Sequence, residues 1–110
     1  MGVRAEVPPG TLYMLILKSL ACLGPMHGYG IALHIQHTTA DVLQVEEGTL
    51  YPALQRMLVK RWVKATWRTT ENNRRARYYT LTAEGRKQLA AEIHQFDHVI
   101  GAIRQLLQQA

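Results

Sequence analysis

Ten of the chain's 13 basic residues fall between positions 56 and 87 (Arg56, Lys60, Arg61, Lys64, Arg68, Arg74, Arg75, Arg77, Arg86 and Lys87), against two acids, Glu71 and Glu84. That segment carries a formal charge of +8, which leaves −3 for the rest of a chain whose net charge is +5. Clustered cations build a local field that phosphates feel, so the chemistry suggested is the non-covalent holding of a polyanion. By charge alone, a solvated basic surface or an acidic partner would also account for it. Of the histidine pairs His34/His37 (i, i+3) and His94/His98 (i, i+4), the second raises another chemistry, metal chelation from one helix face. HQFDH lacks the glutamate of an HExxH site and no third ligand is evident, so neither a metal nor a cofactor is expected. No nucleophile elbow, phosphate-cradling glycine loop or carboxylate pair stands out, and the chain does not read as an enzyme.

A chain of 110 residues with 47% hydrophobic and 19% charged content is enough for one folded domain with a modest core. Cys22 is the only cysteine, so no intrachain disulfide can form, which suits a reducing cytoplasm. The longest apolar stretch, Leu12 to Leu23, is interrupted by Lys18 and Ser19 and is too short to span a bilayer, and no signal-peptide layout is present. The expectation is a soluble cytoplasmic protein with no membrane partner.

Pro8, Pro9 and Gly10 precede a helical repeat of Leu12, Leu15, Ile16, Ser19, Leu20 and Leu23, which predicts a first helix over 11–23 with Cys22 as a buried structural thiol. After the Gly24-Pro25 break a shorter helix starts near His27, runs through Ile31, Leu33 and Ile35, and ends around Thr38-Thr39 and Asp41. A third helix begins at Glu47 or Gly48, with Pro52 expected in its first turn, where a missing N–H costs nothing. Its apolar face is Leu50, Leu54, Met57 and Leu58. Thr49, Pro52, Gln55 and Arg56 lie opposite with Tyr51 on the flank; nothing there helps a core, and short polar groups can approach a partner.

From Trp62 the period changes to two, with Val63, Ala65 and Trp67 alternating against Lys64, Thr66 and Arg68, which reads as a strand. The polar stretch 69–76 leads into a second strand, Arg77 to Leu81, and closes a basic β-hairpin. Its aromatics Trp62, Trp67, Tyr78 and Tyr79 are expected to pack within the hairpin and core. Thr82 is the N-cap of a last helix in which Leu89, Ile93, Phe96, Ile100, Ile103 and Leu107 are spaced 4, 3, 4, 3, 4. That heptad seam, on a helix of about 37 Å, is longer than so small a body can cover and predicts a homodimer interface.

The fold class that follows is mainly α with a two-stranded β wing: a winged helix-turn-helix over 1–81, whose third helix enters the major groove, and a C-terminal dimerisation helix over 82–110. The segments HGYGI (27–31), EGTLYPALQRM (47–57) and RRARYYTLTAEGRKQL (74–89) occur in this order, and with them the chain resembles the PadR family of transcriptional regulators, in its compact branch with one short C-terminal helix. The resemblance implies a dimeric, sequence-specific repressor of double-stranded DNA. It places Gly48, Thr49, Tyr51, Pro52, Gln55 and Arg56 on the recognition helix, with Gln55 suited to hydrogen-bond an adenine. Tyr29, Lys64, Asn73, Arg74, Arg75 and Arg77 would join Arg56 in holding the backbone and forming the wing, contacts that give affinity and register rather than sequence choice. Arg61 departs from the pattern, which commonly has glycine there. A small apolar or aromatic effector between paired terminal helices is also implied, Phe96 being the only aromatic on that helix. A pure protein-interaction module is the rival reading; it would show no preferred duplex.

Overall fold

In the computed structural model, which describes residues 4–110, the order is β1 (Ala5–Glu6), α1 (Leu12–Leu23), β2 (Met26–His27), α2 (Gly28–Thr38), β3 (Leu43–Gln44), α3 (Glu47–Val59), β4 (Val63–Thr69), β5 (Arg75–Leu81) and α4 (Ala83–Leu107). One core joins the four helices and the hairpin: Ile16, Leu17 and Leu20 of α1, Ile31 and Ile35 of α2, Leu50, Ala53, Leu54 and Met57 of α3, Val63, Tyr79 and Leu81 of the hairpin, and Leu89 of α4. α1 is central and touches α2, α3, β5 and α4. Its buried polar residue, Ser19, donates its hydroxyl to the Leu15 carbonyl at 2.8 Å and so leaves no unpaired group in the core.

Two sequence expectations for the helices are corrected. Cys22 is exposed, on the α1 face that also exposes Lys18 one turn earlier; the apolar run of α1 is simply longer than the arc that the neighbouring elements cover. Pro52 is the sixth residue of α3 and therefore lies in its second turn, inside the helix. It has no N–H to offer the Gly48 carbonyl, and because Gly48 is exposed, water can take that place.

The wing strands pair antiparallel from Val63↔Leu81 to Thr69↔Arg75, so β5 starts at Arg75, two residues before the sequence expectation. The two-stranded wing gains a third member: β2 pairs with the other edge of β5, Met26 opposite Tyr79 and His27 opposite Tyr78. A separate parallel pair joins β1 to β3. These two-residue strands are too short to carry a period.

α3 ends in a Schellman motif. The Trp62 N–H donates to the Met57 carbonyl and the Arg61 N–H to the Leu58 carbonyl, both at 3.0 Å, with Arg61 left-handed at φ 62°. Glycine adopts that conformation without the steric penalty of a Cβ, which accounts physically for the glycine of the family pattern where this chain has Arg61. Thr82 then caps α4: its hydroxyl oxygen accepts from the Gly85 N–H at 3.0 Å and donates to the Arg61 carbonyl at 2.7 Å. A β-carbon on Gly85 would run into the Trp62 carbonyl, so that glycine lets α4 start against the root of the wing. The molecule measures 57 × 34 × 22 Å.

Candidate nucleic-acid interface

Four residues of α3, Leu50, Ala53, Leu54 and Met57, are buried, and this anchors the helix so that Glu47, Gly48, Thr49, Tyr51, Pro52, Gln55, Arg56 and Val59 face outward. Val59 is 75% exposed, an apolar group on the outer face that the sequence pattern does not single out. Tyr51 is seated by α2. Its ring lies on the backbone of Gly28, where a β-carbon would approach within 2.7 Å. His27 completes that corner: its Nδ1 accepts the Gly30 N–H at 2.9 Å and caps α2, which puts the ring's proton on Nε2. The imidazole stacks beside Tyr29 (6.4 Å, 11°) and meets Tyr78 edge-on at 5.2 Å. The HGYG run is therefore a device for setting Tyr29 and Tyr51 at one corner.

Across from α3, the wing presents arginines on aromatic rings. Arg77 is paired with Trp67 across the strands, and the guanidinium carbons of Arg75 and Arg77 lie 5.5 and 5.9 Å from the Trp67 ring centre. Arg68 lies 5.2 Å from the Tyr78 ring. Such stacking restrains the long side chains while leaving their N–H groups free. The hairpin tip closes through Thr70, whose N–H donates to the Arg74 carbonyl at 2.7 Å and whose carbonyl accepts from the Asn73 N–H at 2.9 Å. Asn73 is left-handed at φ 59°, which the third residue of a three-residue hairpin loop needs and asparagine tolerates.

Between α3 and the wing lies an open groove of about 710 Å³, lined by Tyr29, Glu47, Tyr51 and Gln55 on one side and Trp67, Asn72, Arg74, Arg75, Arg77 and Tyr79 on the other. Among the described residues the single ion pair is Lys87 with Glu84, so the wing guanidiniums have no carboxylate partner and their charge is open to an anion. Burial, then the Glu47 carboxylate, then Tyr79 push the Tyr51 phenol above its ordinary pKa. Burial does the same for Tyr79, against the opposing pull of Arg77. Both phenols therefore stay protonated at neutral pH as uncharged hydrogen-bonding groups.

Of the residues singled out by sequence, Tyr29, Tyr51, Gln55, Arg74, Arg75 and Arg77 meet at this groove. Gly48 and Pro52 are exposed on α3 outside it, and Lys64 is exposed on β4 opposite Thr80. Thr49 lines a separate pocket of about 370 Å³ with Pro9 and Leu12. Arg56 is turned toward α1, its Nε–H donating to the Tyr13 hydroxyl at 2.6 Å. On α4, Leu89 is buried and Ile93 packs against the chain's own core, whereas Ile100 is half-buried and Phe96, Ile103 and Leu107 are exposed, joined by Val99 and Leu106 outside the seam.

The expectation of packed aromatics holds for Tyr79, which is buried, and for Trp62, which meets Tyr13 edge to face at 5.3 Å. For Trp67 it holds only within the hairpin, against Arg75 and Arg77; the residue is 60% exposed and outside the core because the inward face of β4, buried at Val63, runs past the edge of the body. His27 and Glu47 are groove residues that the sequence did not single out. The Glu47 carboxylate was readable as a first-turn acid; the His27 cap had no signal, histidine being uncommon in that position.

A family model described as the transcriptional regulator PadR-like family matches residues 16–91. The chain belongs to this family. Its fold follows solved relatives along nearly the whole length: a transcriptional regulator of Clostridium thermocellum (26% identical, 90% of this chain and 95% of that one, TM-score 0.81) and a PadR-like regulator of Bacillus cereus (25%, 92% and 95%, TM-score 0.76). A PadR family regulator of Clostridium difficile is 27% identical over 88% of this chain and 98% of its own, with a TM-score of 0.74. An uncharacterised protein of Lysinibacillus sphaericus is 28% identical over 97 residues, 88% of each chain. This PadR-like protein is thus a DNA-binding transcriptional regulator and not an enzyme, with the fold expected from sequence, a winged helix with a long C-terminal helix. Among its described residues no helix is long and apolar enough to cross a membrane, and no three His, Cys, Asp or Glu side chains gather as metal ligands.

Proposed function

We propose that two copies of this PadR-like protein bind one operator in the cytoplasm as a sequence-specific repressor, residues 1–81 reading DNA and residues 82–110 pairing the copies. The observation that carries the reading is the groove between α3 and the wing, with three carboxylate-free arginines facing the outward surface of α3. α3 lies in the major groove, where Thr49, Tyr51, Pro52 and Gln55 meet base edges, while Tyr29, Lys64, Arg74, Arg75 and Arg77 hold phosphates with Gly48 and Asn73 allowing close approach. The copies pair through Phe96, Ile100, Ile103 and Leu107, with Leu89 and Ile93 at the root of the same stripe. Support for pairing comes from the exposure of large apolar side chains along the end of α4, a patch that water alone covers at a cost. A small apolar effector would enter between the paired helices beside Phe96; a Phe96→Ala protein that kept its response to every active ligand would remove Phe96 from that site.

The test is binding of the purified chain to DNA upstream of its own gene at two salt concentrations with excess competitor duplex. Saturable binding that resists competitor and weakens with salt is expected. Binding that competitor abolishes would leave a basic protein that adheres to any duplex.

A further inference from the structure

The hydrogen bond from Arg56 Nε–H to the Tyr13 hydroxyl, 2.6 Å long, spans 43 positions of sequence and ties α3 to the start of α1. Tyr13 is itself held, its ring edge-on to Trp62, and Lys60, one turn beyond Arg56, lies 5.2 Å from the Trp62 ring centre. One flank of α3 thus carries two cations held by aromatic residues from outside the helix, Arg56 at the Tyr13 hydroxyl and Lys60 on the Trp62 ring. This flank faces away from the wing: Tyr51 and Gln55 line the groove, and Arg56 does not. Arg56 is nevertheless exposed, and among the described residues no carboxylate pairs with it. A guanidinium that donates through Nε keeps the four N–H bonds of its two Nη atoms, in one plane and in the fork that matches two phosphate oxygens.

We infer that Tyr13 is a positioning residue: its hydroxyl holds Arg56 by Nε so that the Nη edge grips a backbone phosphate on the side of α3 opposite the wing. The wing arginines and Arg56 then hold the two sides of the recognition helix. Fixing Arg56 before DNA arrives removes part of the ordering cost of the contact, which is where an uncharged hydroxyl gains leverage on affinity. The inference rests on the DNA-binding reading above.

The experiment is a double-mutant cycle in the full chain with Tyr13→Phe, Arg56→Gln and the pair, measuring affinity for the upstream duplex and for a scrambled duplex across salt concentrations, with thermal unfolding of each variant. Arg56→Gln is expected to weaken binding and to lower the salt slope by about 0.9, one phosphate contact. Tyr13→Phe keeps the ring and is expected to weaken binding about three- to tenfold when Arg56 is present, and to have no effect in the Arg56→Gln background. Equal weakening by Tyr13→Phe in both backgrounds, accompanied by a lower Tm, would make the pair a structural staple and overturn the inference. An unchanged salt slope in Arg56→Gln would overturn it as well. Phosphate contacts carry no sequence information, so a wild-type chain that bound both duplexes alike, with the coupling intact, would defeat the sequence-specific reading and uphold the positioning.

Discussion

Leu89 and Leu107 belong to one helix and one apolar repeat, yet Leu89 is 9% exposed and Leu107 is 76% exposed. At its root α4 meets the body: Gly85 closes against the Trp62 carbonyl, Thr82 caps the first turn, and Leu89 and Ile93 extend the core. From Phe96 onward the apolar side continues with Val99, Ile103, Leu106 and Leu107 exposed. A sequence period reports only that one side of a helix is apolar; which molecule covers that side depends on how far the body reaches. The root is satisfied within one chain. The proposed second copy is needed only for the remainder.

Leu89→Ala should cost about 2–5 kcal/mol, as large-to-small changes in a core do, and appear as a lower Tm. Ile103→Asp should leave the Tm of the body near wild type while dimer mass disappears, and apparent operator affinity should fall about a hundredfold or more as the two half-site contacts uncouple. An Ile103→Asp chain that stayed dimeric would break the division of α4. Gln55→Ala should keep the dimer and lose about 1–3 kcal/mol of discrimination at particular base pairs, seen as a changed preference among single-base operator variants. Arg74→Ala with Arg75→Ala should weaken all duplexes alike and lower the salt slope by about two contacts' worth, measured as log affinity against log salt. The smallest effect is Arg61→Gly. It relieves a left-handed side-chain position and should raise stability by up to about 1 kcal/mol in denaturant unfolding, with dimer mass unchanged.

The four helices and the hairpin were legible in the sequence because each announces itself locally: an apolar period, a Gly24-Pro25 break, a Thr82 cap, a change of period at Trp62. Tyr29, Tyr51, Gln55 and the wing arginines were legible as a group because their types and positions match a family pattern. What escaped depends on how elements meet. The partnership of Arg56 with Tyr13 is non-local, and no spacing rule connects residues so far apart. Trp67 shares a strand face with buried Val63, and only the edge of the body decides that one is covered and the other is not. Cys22 follows the same logic on α1, and the two-residue strands β1, β2 and β3 exist only because a neighbour offers an edge.

Whether two copies jointly read one operator is decided by native mass spectrometry of the chain with a short upstream duplex in the presence of excess scrambled duplex. Two chains on each upstream duplex, with the scrambled duplex left bare, are expected; a single chain per duplex, or equal loading of both, would rule out joint reading.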